Sequence, residues 1–284
     1  MFSIIRDLHP PLALLISMPF LAMSAQAQTG TAVRVSYEFI ATDATVNAPV
    51  FVRVVVENGL PDELTFRFLS NPLDYGGFRG SILRPDGETR SAPREHPESL
   101  GGSSSVNYES IQPFSKFTKV LLANKWFDFD IPGRYFVELE TTNILAKDRA
   151  KLLYPTRGET IVDVAPRDPT ALERICADLE QRVMNAPNTL AETEPAEALA
   201  YVTDPVAVPH LARLLRAKER HLAPMLTEAL GRIADLTAVD ALISVRDGPA
   251  IDEDTPAMAR GALNRIEMTT NDIGIKLKIQ NSRH

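Results

Sequence analysis

The stretch Glu197-Ala-Leu-Ala-Tyr-Val-Thr-Asp204 decides how the C-terminal part of this chain is organised, because two related stretches follow it. They are Glu228-Ala-Leu-Gly-Arg-Ile-Ala-Asp235 and Gly261-Ala-Leu-Asn-Arg-Ile-Glu-Met268, and the copies begin 31 and then 33 residues apart. Self-similarity with a period of about 20 to 50 residues is typical of proteins built from stacked repeats. The sequence therefore predicts a repeated architecture over residues 197–268.

Each unit is predicted to contain two helices. In the middle unit Asp204 suits an N-cap and Pro205 suits the first helical position, where no hydrogen bond is lost. Two apolar stripes with helical spacing follow, separated by the polar pair Lys218-Glu219. They consist of Val208, Leu211, Leu214 and Leu215, and of Leu222, Met225, Leu226, Ala229, Leu230 and Ile233. The next unit begins at Asp235 and places Pro256 in the first turn of its second helix, where proline is tolerated.

These paired helices resemble short bacterial HEAT repeats, close to the HEAT-like type first named from phycobilin lyases. The resemblance rests on Asp or Asp-Pro at the start of a unit and on Glu228-Ala-Leu-Gly-Arg-Ile in its second helix, and it covers about residues 195–270. It implies an α-helical stack. It does not imply a reaction, because such repeats occur in scaffolds, adaptors and a few lyases alike.

Residues 1–27 are predicted to be a secretory signal peptide. Arg6 precedes an apolar run over residues 11–23, and Ala25-Gln26-Ala27 has the small-x-small pattern of a cleavage site. The alternative is an N-terminal membrane anchor, but the run is well short of the roughly 20 residues that a spanning helix needs. We therefore expect a mature chain from Gln28, exported to a bacterial periplasm or outside the cell, with no integral membrane span.

Residues 28–165 alternate between apolar and polar side chains, which predicts half-buried antiparallel strands. Examples are Val33, Val35, Tyr37 and Phe39, and then Val50, Val52, Val54 and Val56. Pairs such as Asn58-Gly59 and Pro132-Gly133 provide turns between the strands. About seven short strands in such a length predict a β-sandwich. The predicted fold class is thus an all-β domain followed by an all-α domain.

The segment Asp128-Phe-Asp-Ile-Pro-Gly-Arg-Tyr135 and the strand after it resemble a stretch found in many bacterial immunoglobulin-like domains. By this resemblance Tyr135 forms a tyrosine corner, in which its hydroxyl bonds back to the turn. The disulfide of antibody domains is absent, since Cys176 is the only cysteine. The nearby Trp126 is interpreted either as a core residue or as an exposed contact residue.

The boundary between the two predicted domains lies at Ala165-Pro-Arg-Asp-Pro169, where the period of the pattern changes. The helical domain, residues 166–270, is predicted to open with a capping helix over residues 170–184, because a repeat stack must cover its end. Residues 271–284 form a tail in which Ile273, Ile275, Leu277 and Ile279 alternate with other residues. This alternation predicts a strand that joins the sandwich or a partner, and a partly ordered tail is the alternative.

Residues 84–110 are predicted to form a long loop between strands, since they are rich in Pro, Gly, Ser and charge and include His96. Such a loop either binds a ligand or is merely mobile. Binding of carbohydrate through the sandwich loops would be favoured by clustered exposed aromatic residues. The sequence offers few of them on the predicted sandwich: Tyr75, Phe78 and Tyr108.

No residue pattern predicts catalysis, a cofactor or a metal. The histidines of the mature chain, His96, His210, His221 and His284, lack metal-binding spacing, and phosphate-loop, dinucleotide and nucleophile-elbow motifs are absent. Cys176 shares an apolar helical stripe with Leu172, Ile175 and Leu179, which predicts a core thiol, with a reactive or intermolecular thiol as the alternative. The run Asp252-Glu-Asp254 lacks the spaced ligands of a calcium loop and is interpreted as a solvated turn.

The distribution of charge argues against nucleic acid as a partner. Residues 28–165 hold 15 basic and 18 acidic residues, and residues 166–284 hold 14 and 18, so both parts are acidic. One local exception lies at the turn between the helices of the middle unit. It consists of Arg213, Arg216, Lys218, Arg220 and His221. We interpret these residues as a candidate patch that binds an acidic partner, and a charged turn that is only solvated is the alternative.

Three functions are compatible with these features. The leading hypothesis is a non-catalytic protein-binding module or adaptor of the cell envelope, because a repeat stack offers a long interaction surface. The second is binding of carbohydrate or another cell-surface ligand through the sandwich loops. An enzyme is disfavoured, since it would need histidines and carboxylates that converge from distant positions.

Overall fold

The computed structural model describes residues 33–40, 44–69, 77–92, 106–146, 156–217, 220–248 and 254–283. The predicted signal peptide lies outside these residues, as do Tyr75, His96, Lys218 and the pair Asp252-Glu253. Residues 32–284 form one compact unit. Within the described part of the chain, no helix is long and apolar enough to cross a bilayer. Antiparallel sheets occupy the N-terminal part and helices the C-terminal part.

The strands are numbered along the chain. They are β1 (Val33–Ile40), β2 (Phe51–Asn58), β3 (Leu64–Leu69), β4 (Phe78–Leu83), β5 (Thr89–Ala92), β6 (Val106–Ile111), β7 (Lys116–Leu122), β8 (Gly133–Thr141), β9 (Ile144–Ala146) and β10 (Arg157–Val164). The alternating patterns correspond to β1, β2, β3, β7, β8 and β10. The short strands β4, β5, β6 and β9 were not predicted.

The prediction of one long loop over residues 84–110 is wrong, because β5 lies within it and β6 begins at Val106. Strand β5 is polar, so its sequence carries no apolar alternation. It forms because the turn Pro85-Asp-Gly87 returns the chain onto β4, with Gly87 at a φ of 86° and the Arg84 amide donating to the Glu88 carbonyl at 2.9 Å. Strand β6 pairs with β3 in register from Leu64 opposite Ile111.

The strands form three antiparallel sheets, in the orders β1-β2-β7, β10-β8-β4-β5 and β6-β3-β9. Their inward side chains share one apolar core that includes Val54, Phe66 and Leu139. Trp126 is buried in this core with its ring centroid 4.8 Å from that of Phe78, which confirms the interpretation of Trp126 as a core residue.

Tyr135 is fully buried and fixes the turn before β8. Its hydroxyl donates to the Ile131 carbonyl at 2.7 Å and accepts from the Ile131 amide at 3.1 Å, so the predicted bond back to the turn is confirmed. Gly133 is required in this turn, because its φ is 134° and a Cβ there would come within 2.7 Å of the Pro85 side chain.

The helices are α1 (Pro169–Met184), α2 (Thr189–Ala200), α3 (Val208–Ala217), α4 (Ala223–Ile233), α5 (Leu236–Asp247), α6 (Thr255–Thr269) and α7 (Ile273–Asn281). Short 3-10 turns precede α3 and α4 at Pro205–Ala207 and Arg220–Leu222. The paired helices expected from the repeated stretch are α3 with α4 and α5 with α6, and α1 with α2 forms a further pair.

An aspartate side chain caps the start of every odd-numbered helix. The residues are Asp168, Asp204, Asp235 and Asp272, and each accepts a hydrogen bond from a backbone amide two or three residues later. Asp204 caps the 3-10 turn that leads into α3. Helices α1, α3, α5 and α7 pack side by side in one layer, and α2, α4 and α6 form the second layer.

The prediction of a strand over residues 271–284 is wrong, because α7 occupies this segment. Ile275 and Ile279 are four residues apart and lie buried on one helical face, packed with the neighbouring helices. A second pair, Ile273 and Leu277, is also four residues apart and is exposed on the same helix. The two pairs interleave in the sequence, and this interleaving produces the alternation that resembles a strand. The cap Asp272 was the helix signal that the interpretation missed.

The sheets and the helices share apolar contacts. Ala48, Phe51 and Leu122 from the β part pack into the core formed by the helices. The predicted boundary falls between the end of β10 at Val164 and the start of α1 at Pro169.

Candidate functional site

The predicted basic patch is largely paired with other parts of the chain. The Arg213 guanidinium donates twice to Glu180 on α1, at 2.6 Å each, and Arg216 donates to the Ser244 hydroxyl on α5 at 3.0 Å. His221 Nε2 lies 2.7 Å from the Glu192 carboxylate. The structure does not describe Lys218 or the side chain of Arg220. Arg213 and Arg216 are nevertheless exposed on α3, so the patch stays a prediction.

Arg213 belongs to a cluster that joins α1 to α3. His210 is buried, with Nδ1 2.6 Å from Glu180 Oε2 and Nε2 3.2 Å from Glu173 Oε1. The hydrogen bonds from Arg213, followed by that from His210, hold the pKa of Glu180 below its usual value despite partial burial. Both imidazole nitrogens of His210 have carboxylate partners, and this pairing makes the cluster a helix-to-helix connector.

Cys176 lies next to this cluster on α1 and is fully buried, which confirms its interpretation as a core thiol. Burial raises the pKa of the thiol to about 12, and nearby Glu173 adds to the shift. A thiol of this pKa is protonated at neutral pH and is a poor nucleophile. Among the residues that the structure describes, no group of three or more His, Cys, Asp or Glu side chains is arranged to hold a metal ion.

Asp204 connects the β part, the interdomain segment and the helices. Its side chain is 1% exposed and receives hydrogen bonds from Arg167 at 2.5 and 2.9 Å, from the Val206 amide at 3.1 Å and from Asn47 at 3.5 Å. The bonds from Arg167 are the largest cause that holds the pKa of Asp204 below its usual value. The residue that starts a repeat thus also fixes the junction.

A second ion pair crosses the same junction. Lys125, just before Trp126, places its ammonium 2.6 Å from the Glu197 carboxylate on α2. Both side chains are largely buried, and burial raises the pKa of Glu197, while Lys125 opposes this shift. These two residues lie 72 positions apart in the sequence, and no local pattern relates them.

A cavity of 310 Å³ lies at the far end of the helical stack, where α5, α6 and α7 meet. Its lining includes three arginines, Arg246, Arg260 and Arg283, together with Asp247 and Asn264. Arg246 is held by Asp247 and by the Ser282 carbonyl at 2.6 Å. Arg283 donates to Asn264 at 2.9 Å and to Glu267. With Glu267 counted, three arginines meet two carboxylates at this cavity, which leaves a surplus of one positive charge.

The charge of the last two helices differs in sign from that of the chain. Residues 255–283 contain five basic and two acidic residues, a net charge of +3, whereas the whole chain carries −7. The same helices expose large apolar side chains: Met268 is 77%, Ile273 72% and Leu277 52% exposed. Helices α6 and α7 thus combine exposed apolar residues with part of the lining of the basic cavity, and such a combination is typical of a recognition surface.

Of the aromatic residues considered for a sandwich-loop site, the two that the structure describes do not form an exposed pair. Phe78 is buried in the β core and Tyr108 is exposed on β6, while Tyr75 lies outside the described residues. The structure instead exposes Phe114, 73% accessible, in the turn between β6 and β7. Its φ of 53° is rare for a bulky residue, and no sequence pattern predicts this conformation.

Comparisons with known proteins give no family. No family model and no curated protein matches the chain. Among solved structures it is similar to the sporulation control protein Spo0M from Bacillus subtilis, with 11% identity over 53% of this chain and 56% of that chain, at a TM-score of 0.24. It is also similar to Astrotactin-2, a vertebrate-specific perforin-like membrane protein, with 13% identity over 84% of this chain and 36% of that chain, at a TM-score of 0.16.

The chain thus spans less than two thirds of the length of either structure. TM-scores this low carry no argument about fold or function.

Proposed function

We propose that this protein is an exported, non-catalytic protein-binding module or adaptor of the cell envelope, in which a HEAT-like stack is the interaction surface and an immunoglobulin-like sandwich is its support. The observation that carries the proposal is the two-layer helical arrangement, with an aspartate cap at each odd-numbered helix. Successive units present equivalent positions in a row, which suits recognition of another protein.

The sandwich is supported by three antiparallel sheets around one core and by the hydroxyl bonds of Tyr135. The two junction ion pairs, Arg167 with Asp204 and Lys125 with Glu197, hold the β part against the helices. A support that is fixed in this way orders the stack before a partner arrives, which lowers the entropy lost on binding. Export remains a proposal that rests on the sequence of residues 1–27.

A non-catalytic role is supported by the state of the reactive side chains. His210 is enclosed by Glu173, Glu180 and Arg213, and the buried Cys176 thiol has a raised pKa. His210 thereby connects α3 to α1, and Cys176 packs in the core of the helices.

A test compares the mature chain from Gln28 with a patch variant, Arg216→Glu/Lys218→Glu/Arg220→Glu, in affinity capture from the envelope fraction of the source cells. Arg213 is left unchanged because its bonds to Glu180 join α1 to α3. The control Arg34→Glu/Arg182→Glu reverses two exposed charges elsewhere. We expect at least one protein to be held specifically by the mature chain and the control.

Loss of that protein from a correctly folded patch variant would place its binding at the α3–α4 turn. Failure of the wild-type chain to retain any protein would contradict the proposed function. Folding of each variant is checked by circular dichroism and by its thermal unfolding midpoint.

A second candidate, binding of carbohydrate or another surface ligand through the sandwich loops, is favoured by Phe114. An exposed aromatic ring in a left-handed backbone costs energy that the fold does not recover by burial. The test is binding of the wild-type chain and of Phe114→Ala to an array of cell-surface glycans. Glycan binding that Phe114→Ala abolishes would support this candidate, and the absence of binding by the wild type would exclude the glycans tested.

A further inference from the structure

Helix α7 has the features of the first helix of another unit. Asp272 caps it as Asp235 caps α5, with the carboxylate accepting from the amide three residues later in both helices. Ile279 follows its cap by seven residues, as Leu242 follows Asp235, and both are fully buried. Helix α7 also packs on both α5 and α6, as the first helix of a further unit would.

The position of a second helix in that unit follows from the inner repeats. On α4, Gly231 faces α6, because a Cβ at Gly231 would lie 3.6 Å from the Ala262 side chain. The equivalent residue on α6, 33 positions later, is Asn264, which is exposed and lines the arginine cavity. The cavity therefore lies where the repeat would place a helix against α6 and α7.

The exposed apolar residues of α7 lie at the same end of the stack, on the side that the next odd-numbered helix would cover. Asp240 on α5 faces α7, since it accepts a hydrogen bond from Lys278. The residue that stands at this position in α7, five after the cap, is Leu277, and it is exposed together with Ile273 one turn earlier. The end of a repeat stack needs a polar outer face to be soluble, so an apolar face indicates a surface that is covered.

We propose that the face made by α6 and α7, with the cavity between them, binds an amphipathic helix that carries carboxylates. Its apolar side packs on Leu277 and Met268, and its carboxylates pair with Arg260 and Arg283. The inference rests on the proposed protein-binding role and names the surface and the chemistry of the partner.

The charge of the face made by α6 and α7 distinguishes among the molecules that could bind there. Residues 255–283 carry +3, so an acidic helix gains charge-assisted hydrogen bonds, whereas the same face of a second copy would bring like charges together. A small anion would use the arginines but would leave Ile273 and Leu277 exposed. The acidic helix accounts for both the charge and the apolar residues.

The probes are two fluorescent, helix-stapled peptides of the α6 sequence, the helix that fills the corresponding place in the preceding unit. The acidic peptide carries Glu at both arginine positions of that sequence. The basic peptide keeps both arginines and carries Lys at the position of Glu267. Binding to the full chain is followed by fluorescence anisotropy at low ionic strength.

Two variants test the surface: Arg260→Glu/Arg283→Glu, called the end variant, and Leu277→Asp. The control for the end variant is Arg34→Glu/Arg182→Glu, which changes the net charge by the same amount. We expect the acidic peptide to bind wild type and control at least about tenfold more tightly than the basic peptide does. The end variant should lose at least about tenfold in affinity for the acidic peptide, and Leu277→Asp should also weaken it.

Equal affinity of wild type for both peptides would overturn the proposal, and so would equal affinity of the end variant and the control. Two further results would also overturn it. One is a dimer in sedimentation that Leu277→Asp dissociates, and the other is calorimetric binding of inorganic phosphate at these arginines without binding of the acidic peptide.

The same variants separate this inference from the proposed function. If the end variant still captures the envelope protein that wild type holds, and the acidic peptide fails to bind, only the inference fails. If wild type captures no protein, the proposed function fails, and the peptide titration remains independently readable.

Discussion

The junction between sheets and helices and the far end of the stack both contain several charged residues, but they use them differently. At the junction each buried charge has a partner of opposite sign: Arg167 pairs with Asp204 and Lys125 with Glu197. At the far end three arginines, Arg246, Arg260 and Arg283, share a cavity and meet two carboxylates, those of Asp247 and Glu267. Burial with a partner indicates a structural role, and a surplus of one charge at an accessible cavity indicates recognition.

This difference predicts that changes at the junction lower stability strongly, whereas charge changes at the far end leave stability almost unaltered. The four predictions below run from the largest expected effect to the smallest.

Lys125→Met should lower the free energy of unfolding by about 3 kcal/mol at neutral pH, because it leaves Glu197 buried without its partner. Burial already raises the pKa of Glu197, so this carboxylate binds a proton more readily in the folded protein than in the unfolded chain. The deficit of the variant should therefore shrink as the pH falls toward 4.5, the ordinary pKa of this group.

Urea denaturation at about pH 5 and at about pH 8 measures this dependence. The matched control Lys125→Met/Glu197→Gln removes both charges and should recover part of the loss at the higher pH. A deficit that is the same at both pH values would show that Glu197 is not the cause.

Ile279→Ala should lower the free energy of unfolding by about 3 kcal/mol, because Ile279 is fully buried where α7 packs on its neighbours. The exposed Leu277 supplies the control, since Leu277→Ala on the same helix should cost little. Chemical denaturation compares the two variants. Equal, small effects would show that α7 is not packed on the stack as described.

Asp204→Asn should cost about 2 kcal/mol at neutral pH, since the amide keeps much of the cap but loses the charge that Arg167 binds. The pKa of Asp204 is lowered in the folded state, so this stability is present above pH 3.8, its ordinary pKa, and is lost as the pH falls through the folded pKa. Wild type and variant should therefore converge in acid-unfolding experiments, and a constant gap would contradict the assignment.

The end variant Arg260→Glu/Arg283→Glu should change the free energy of unfolding by less than about 1 kcal/mol, because both arginines lie at the surface and Arg260 lines an accessible cavity. Thermal unfolding beside the control Arg34→Glu/Arg182→Glu measures the effect. A loss as large as that of Lys125→Met would remove the distinction between the two regions.

The sequence predicted those strands and helices whose apolar spacing is compatible with only one type of secondary structure. Alternation identified β2 through Val50, Val52, Val54 and Val56, and the repeated stretch identified α4 and α6. The prediction from apolar spacing was wrong for α7, because the spacing of its isoleucines is compatible with both a strand and a helix. It also failed at β5, which is polar and depends on the turn before it for its position.

The candidate sites could be predicted only where their residues are close in sequence. The turn with Arg213 and Arg216 was found, but not the bonds from Arg213 to Glu180, which lies 33 residues earlier on a different helix. The end cavity joins Arg246, Arg260 and Arg283 through the packing of three helices. Its one local signal is the excess of basic residues in α6 and α7.

The most direct measurement is amide hydrogen exchange of the full chain with and without the acidic peptide. The account predicts added protection in α6 and α7, within residues 255–283, and no added protection at the α3–α4 turn or in the sheets. Protection that appears at residues 213–222 instead, or that is absent throughout although the peptide binds, would contradict the assignment of the stack end as the recognition surface.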